Sequence, residues 1–128
     1  MRYVSRSKQL GADAIDSYVR ESISVLRSTF EATGHPFTQY HGCSKADEQI
    51  VEVCLPTDTG DSELPEQQLI FTVVHGHECD YPDVLAAYDA LAAHAKVLGR
   101  ELGGPPRETY LVDPGERTPE MEVAFPLL

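Results

Sequence analysis

Two tyrosines seventy positions apart, Tyr40 and Tyr110, stand beside side chains of different chemistry. The carboxylate of Glu108 lies two residues before Tyr110, whereas the neutral Thr38 lies two residues before Tyr40. Strand alternation would put Glu108 and Tyr110 on one face of a strand, and Thr38 and Tyr40 on one face of another. A carboxylate beside aromatic rings suits an organic cation, since each ring can add about 0.5 to 2 kcal/mol of cation–π attraction. These four residues are the first candidates for a binding site.

The tyrosines belong to a longer internal repeat. The pairs that share the offset of seventy positions are Gly34 and Gly104, Pro36 and Pro106, Pro56 and Pro126, Tyr18 and Tyr88, and Val4 and Val74. We predict two βαββ repeats, one over about residues 1–57 and one over about 69–128, related by a pseudo-twofold axis. Either half alone would bury too small a core to be stable, so the whole of 1–128 is expected to be one domain.

Hydrophobic patterning places the candidates on elements. The predicted apolar stripes of two helices are Ile15, Val19, Ile23, Leu26 and Phe30, and Val84, Tyr88, Leu91, Ala95 and Leu98. Asp13 is expected to cap the first helix, and Pro82 to occupy the first turn of the second. Residues 2–8 read as a polar strand, 69–74 as a strand buried on both sides, and 58–68 as a solvated linker.

These elements predict an α+β fold. Each helix has one apolar stripe to bury, so both are expected to pack on one face of an antiparallel sheet. The opposite face would then be open, and we expect the ligand cleft there.

Composition excludes several classes of partner. The 128 residues include 10 Lys plus Arg against 21 Asp plus Glu, for a net charge of −11, and the basic residues do not cluster. Direct nucleic-acid binding is therefore not expected. No run of residues is apolar enough to predict a membrane span or a secretion signal. Three scattered cysteines, Cys43, Cys54 and Cys79, indicate reduced thiols and a cytoplasmic location.

The segment GGPPRETYLVDP (103–114), followed by EMEVAFPL (120–127), resembles the C-terminal signature of the GyrI-like small-molecule-binding domain. That domain is the effector-binding domain of MerR-type and AraC-type bacterial transcription regulators. The segment VVHGHECDYPDVLAAYDAL (73–91) resembles the preceding part of the same family, and the first repeat resembles its N-terminal copy. The resemblance covers essentially the whole chain.

Two departures from the family pattern matter. The chain has no residues left for a DNA-binding module, so a stand-alone form is expected. Four residues, His77 to Asp80, also intervene between Gly76 and Tyr81, where the family has a shorter connection.

The resemblance implies a binding protein for hydrophobic, cationic aromatic compounds, of the multidrug-binding or sensing type. Glu108 would be the pocket carboxylate, and the pocket would also hold Tyr110, Tyr40, Thr38 and Tyr81. No cofactor and no metal are expected, and the oligomeric state stays open.

Two other functions stay open. Some stand-alone members of the family hydrolyse reactive cyclopropane-containing electrophiles, and the resemblance would then make Glu108 the base that activates water, with Tyr110 or Tyr40 orienting the water or donating a proton. The family name also suggests a protein-interaction module that inhibits DNA gyrase.

Two residue groups have competing interpretations. Glu108 is either a pocket residue or an exposed strand carboxylate paired with Arg107 or Arg117. The group of His75, His77, Cys79 and Asp80 contains good zinc ligands, but its spacing does not match a standard zinc site and favours a solvated loop.

Overall fold

Over residues 1–116 and 118–128, which the structure describes, the chain folds as α+β with seven antiparallel strands and two α-helices. The structure is a computed structural model. The chain divides into two compact units, Met1–Glu66 and Gln67–Leu128. Each unit has its own α-helix and its own paired strands, and the α+β prediction is confirmed at this level.

The first unit consists, in chain order, of β1 (Arg2–Gly11), α1 (Ala12–Thr29), β2 (Phe37–Tyr40), β3 (Glu48–Pro56) and β4 (Ser62–Glu63). Strand β3 pairs with both β1 and β2, and β4 pairs with the start of β1. The strand order is therefore β4-β1-β3-β2.

Helix α1 buries the face that the apolar spacing predicts. Val19, Ile23 and Leu26 are buried, as expected for residues spaced by three and four positions. Tyr18 and Ser22 are buried on the same side of the helix, although neither belongs to the predicted stripe. Polar atoms therefore enter the layer between α1 and the strands.

The ends of α1 differ from the prediction. The N-cap is Gly11, so Asp13 lies in the first turn instead of capping the helix. An acidic side chain in the first turn still interacts favourably with the helix dipole. The helix ends at Thr29, so that Phe30, the last residue of the predicted stripe, is its C-cap.

Both sides of the first unit's sheet are covered. The side facing α1 holds a cluster of Val4, Leu26 and Leu55, with Phe30 packed against it. The opposite side holds a cluster of Tyr3, Phe37 and Cys54, with Leu64 packed against it. The rings of Tyr3 and Phe37 lie 5.8 Å apart between centroids. Alternation along β1 and β3 therefore buries apolar side chains on both faces.

The predicted linker is partly ordered against β1. Strand β4 pairs with Arg2 and Tyr3, and the Leu64 amide donates to the Met1 carbonyl at 2.8 Å. Gly60 lies so close to this strand that a Cβ there would be 2.5 Å from backbone atoms of Tyr3. The polar composition of this segment predicted a solvated linker, but Gly60 permits its backbone to approach that of β1 closely.

The second unit consists of β5 (Leu69–His75), a 3₁₀-helix (Gly76–Cys79), α2 (Leu85–Val97), β6 (Arg107–Val112) and β7 (Glu120–Pro126). Strand β7 pairs with both β5 and β6, in the order β6-β7-β5. The register of β6 shifts between Tyr110 and Val112.

Strand β5 is covered on one side, so the prediction that it is buried on both sides is wrong. Ile70 and Val74 are 8% and 6% exposed, whereas Phe71 and Val73 are 57% and 37% exposed. The β-branched and aromatic composition correctly predicted a strand, but composition alone does not indicate how many faces a neighbour covers.

Helix α2 begins at Leu85, after a turn that contains Pro82. Leu91 and Ala95 of the predicted stripe are buried, while Leu98 is 55% exposed. Among the described residues, neither α-helix combines the length and the hydropathy that a membrane crossing requires.

Candidate functional site

Glu108 lies near the start of β6 with its side chain turned towards α2. It is opposite Val123 of β7 and is 8% exposed. Two positions later Tyr110 is opposite Met121 and is 6% exposed. Because cross-strand partners and alternate residues share a face, these four side chains lie on the same side of the sheet.

The structure places Tyr88 of α2 against the Glu108 carboxylate. The phenol donates a hydrogen bond of 2.5 Å to Oε2 of Glu108. Burial raises the pKa of Tyr88 well above its usual value, and the negative charge of Glu108 and its hydrogen bond add to the rise. Tyr88 therefore keeps its proton at neutral pH and acts as a hydrogen-bond donor.

Two further aromatic residues, Phe125 and Tyr110, lie near this hydrogen bond. The ring of Tyr88 meets that of Phe125 edge to face, with centroids 5.6 Å apart and an angle of 80° between the planes. Tyr110 is close enough to contribute to the raised pKa of Tyr88. We call Glu108, Tyr88, Tyr110 and Phe125 the Glu108 cluster.

The Glu108 side chain lies on the side of the strands opposite to the one where the ligand cleft was expected. The ligand cleft was expected on the face away from the helices, but the Tyr88 hydrogen bond places the Glu108 carboxylate between the strands and α2. The pattern of alternation separates two faces without saying which one a helix covers. Sequence reasoning also missed Tyr88 as a site residue, because the position of Tyr88 in the apolar stripe of α2 suggests simple core packing. The Tyr88 hydroxyl is the signal that could have identified this residue, since a buried tyrosine needs a hydrogen-bond partner.

The alternative of an exposed Glu108 is wrong, because the residue is buried. The guanidinium of Arg107 donates to Oε1 of Gln67 at 2.9 Å. Arg117, the other partner that the sequence suggested, lies outside the described residues.

The segment between β5 and α2 contains the remaining candidates of this unit. Tyr81 is 67% exposed, so the structure leaves its ring at the surface. Cys79 is half-buried, and burial raises the pKa of its thiol, with the charges of Asp80 and Glu108 adding to the rise.

The histidines nearby are engaged in surface contacts. Nδ1 of His77 lies 3.0 Å from Oδ2 of Asp83, and this contact raises the pKa of His77. Nδ1 of His75 lies 3.3 Å from Oε2 of Glu120. Within residues 1–116 and 118–128, no cluster of three or more histidine, cysteine or acidic side chains is arranged to hold a metal ion.

In the first unit, Thr38 and Tyr40 lie on the side of the strands that faces α1. Thr38 is opposite Val53 and fully buried, and Tyr40 is opposite Val51 and half-buried. These two candidates share a face, as alternation predicts. They belong to a different compact unit from Glu108 and Tyr110.

A charged side chain also meets a helix tyrosine in the first unit. The guanidinium carbon of Arg6 lies over the ring of Tyr18, 5.5 Å from its centroid. Sequence reasoning missed this contact because it treated residues 2–8 only as a polar strand. In a comparison with known proteins, the chain matched no family model and no curated protein.

Proposed function

We propose that the chain is a small-molecule-binding protein of the GyrI-like type, which takes hydrophobic, cationic aromatic compounds. The observation that carries the proposal is the buried carboxylate of Glu108, held by Tyr88 within a set of aromatic rings. An organic cation beside this carboxylate gains Coulomb attraction that water screens only weakly. Ring contacts with Tyr88, Tyr110 or Phe125 add about 0.5 to 2 kcal/mol each.

We also propose that the two units arose by duplication of one βαββ element. Strand pairing after the helices supports this, because Thr38 faces Val53 as Glu108 faces Val123, at an offset of seventy. The offset holds along the whole of β2, whose other pairs are Phe37 with Cys54, Gln39 with Glu52 and Tyr40 with Val51. The corresponding pairs of β6 are Arg107 with Ala124, Thr109 with Glu122 and Tyr110 with Met121.

The first strands follow a different offset. Tyr3 faces Pro56, whereas Leu69 faces Pro126, so the register makes Leu69 the counterpart of Tyr3, 66 positions later. In the proposed duplication, Val4 would therefore correspond to Ile70 and not to Val74. The difference of four residues equals the length of the segment 77–80, which lies at the 3₁₀-helix. In the proposed duplication, the second copy carries this insertion.

A dye titration tests the binding function. We expect a planar cationic dye of the rhodamine type to bind the wild type. Glu108→Gln should bind the dye at least about tenfold more weakly, which is a loss of about 1.4 kcal/mol in binding free energy. Glu122→Gln is the matched control. This substitution removes the same charge on the opposite face of β7, and it should leave dye binding unchanged. Equal affinities for the wild type and Glu108→Gln would overturn the role of Glu108.

A hydrolase is the second candidate, favoured by the direct hydrogen bond between Glu108 and a phenol that stays protonated. Glu108 would activate water and a tyrosine would act as proton donor. The test is conversion of a cyclopropane-containing electrophile to its ring-opened hydration product. Loss of conversion in Glu108→Gln while the compound still binds would support hydrolysis, and absence of product with wild-type protein would exclude it.

We place the protein in the cytoplasm as part of the same proposal. Cys43, Cys54 and Cys79 form no disulfide bond. Reduced cysteines are typical of reducing compartments.

A further inference from the structure

A positive charge enters the layer between the strands and α1 of the first unit. Arg6 is opposite Val53, which puts it on the same side of β1 as Val4, a residue that packs with Leu26 of α1. The Arg6 guanidinium lies over the Tyr18 ring. A cation–π contact satisfies the face of a guanidinium, but its N–H groups still need hydrogen-bond acceptors.

Two polar atoms in this layer are buried without a hydrogen-bond partner among the residues that the structure describes. They are Nη1 of Arg6 and Oγ of Ser22. Ser22 is fully buried. Leaving such buried polar atoms unsatisfied is energetically costly, and a bound ion or ligand is one way to satisfy them.

Two other serines of α1, Ser17 and Ser28, behave differently. Ser17 donates to the carbonyl of Ala14 at 3.3 Å, and Ser28 donates to that of Val25 at 2.6 Å. A helical serine normally satisfies its hydroxyl in this way. The Ser22 hydroxyl is buried and, among the described residues, does not have such a partner.

The spacing on α1 brings the two unpartnered atoms, Nη1 of Arg6 and Oγ of Ser22, to one region. Tyr18, Ser22 and Leu26 are four residues apart and lie along one side of the helix. Tyr18 is beneath Arg6, and Leu26 is against Val4, two residues before Arg6 on the same side of β1. Ser22 therefore lies between these two contacts, facing the segment from Val4 to Arg6.

We propose that this region of the first unit binds the carboxylate group of a small organic acid, with Arg6 and Ser22 as donors. Two donors match the two oxygens of a carboxylate, and one guanidinium balances one negative charge. A doubly charged phosphate would leave a net negative charge in the layer of a chain that already carries −11. This site is separate from the proposed Glu108 site, and its ligand has the opposite charge.

The test is titration of the full chain with sodium acetate, sodium benzoate and inorganic phosphate at constant ionic strength, followed by NMR. We expect the Arg6 and Ser22 signals to shift with saturation by acetate and benzoate. Arg6→Gln should weaken carboxylate binding at least about tenfold, as expected for loss of a charged donor. Ser22→Ala should weaken it about threefold, as expected for a neutral hydrogen bond.

Lys8→Gln is the matched control, because Lys8 lies on the same side of β1, carries the same charge and is exposed. Its affinity should equal that of the wild type. Equal responses in wild type, Arg6→Gln and Lys8→Gln would overturn the site, and tighter binding of phosphate than of acetate would overturn the carboxylate assignment. If Arg6→Gln does not fold, Ser22→Ala decides, since unchanged acetate affinity in that variant would also overturn the proposal.

Discussion

The two units each set a helix tyrosine against a charged side chain, but they do so in opposite ways. In the first unit the ring of Tyr18 contacts the cation of Arg6 on β1. In the second unit the hydroxyl of Tyr88 contacts the anion of Glu108 on β6. A tyrosine offers an electron-rich face to cations and an acidic hydrogen to anions. The same residue type, seventy positions apart, therefore supports a positive layer in one unit and a negative layer in the other.

The sides of the strands away from the helices differ as well. In the first unit this side is closed by Tyr3, Phe37 and Cys54, and Phe37 is 2% exposed. In the second unit Phe71 occupies the corresponding side of β5 and is 57% exposed. On this side, the ring of Phe37 therefore contributes to the core of the first unit, whereas the ring of Phe71 lies at the surface of the second.

The largest expected effect tests that second contrast. Phe37→Ala should lower the free energy of unfolding by about 3 to 5 kcal/mol, because it removes a fully packed ring. Phe71→Ala should change it by less than about 0.5 kcal/mol, because most of that ring already contacts solvent. Urea denaturation of both variants measures the difference. Similar losses in the two variants would mean that Phe71 is covered in solution.

The next effect separates the two tyrosines. Tyr88→Phe should destabilise the fold by about 1.5 to 3 kcal/mol, because it removes a hydrogen bond to a buried carboxylate. Tyr18→Phe keeps the ring under Arg6 and should cost less than about 0.5 kcal/mol. The variants differ from the wild type by one oxygen each, so the pair is closely matched. The contrast between hydroxyl and ring contacts fails if the two losses are equal under the same denaturant.

The smallest effect concerns the thiol next to the Glu108 cluster. A raised pKa keeps Cys79 protonated at neutral pH, so its alkylation by iodoacetamide should accelerate only as the pH rises towards that value. Glu108→Gln removes one cause of the rise and should speed alkylation of Cys79 at pH 8 by about two- to threefold. Cys43, in the other unit, is the internal control and should react equally in both proteins. Peptide mapping by mass spectrometry gives both rates, and an unchanged Cys79 rate would place Glu108 too far from the thiol to act on it.

Local patterns predicted the helices and strands more successfully than they predicted which elements pack against each other. The α+β class follows from two stripes of period near 3.6 and several alternating segments, and alternation correctly paired Glu108 with Tyr110 on one face. Which face α2 covers depends on packing across the whole unit, and no local pattern contains that information. Tyr88 and Ser22 were missed for the same reason, since each occupies a helix position whose environment is set by the strand beneath it.

Loop chemistry was the least predictable part. The segment 58–68 is polar and reads as a linker, yet it forms β4 because Gly60 lets the chain run against Tyr3. The segment 77–80 was expected to be a solvated loop; most of it forms a 3₁₀-helix, and its side chains make surface contacts that the spacing did not predict. Whether a polar side chain bonds to a neighbour or to solvent depends on distances that spacing along the chain does not determine.

The exposed strand β5 has a consequence for the behaviour of concentrated protein. The Gly76 amide donates to Pro119 and the Leu127 amide to Gln68, so even-numbered residues of β5 direct their backbone groups to β7. The odd-numbered residues, Phe71 and Val73 among them, direct theirs to the outer edge. Seven residues, LIFTVVH, form this strand without one Asp, Glu, Lys or Arg, the residues that usually protect a sheet edge. Colloidal stability therefore depends on the net charge of −11, which high salt screens and mild acid neutralises.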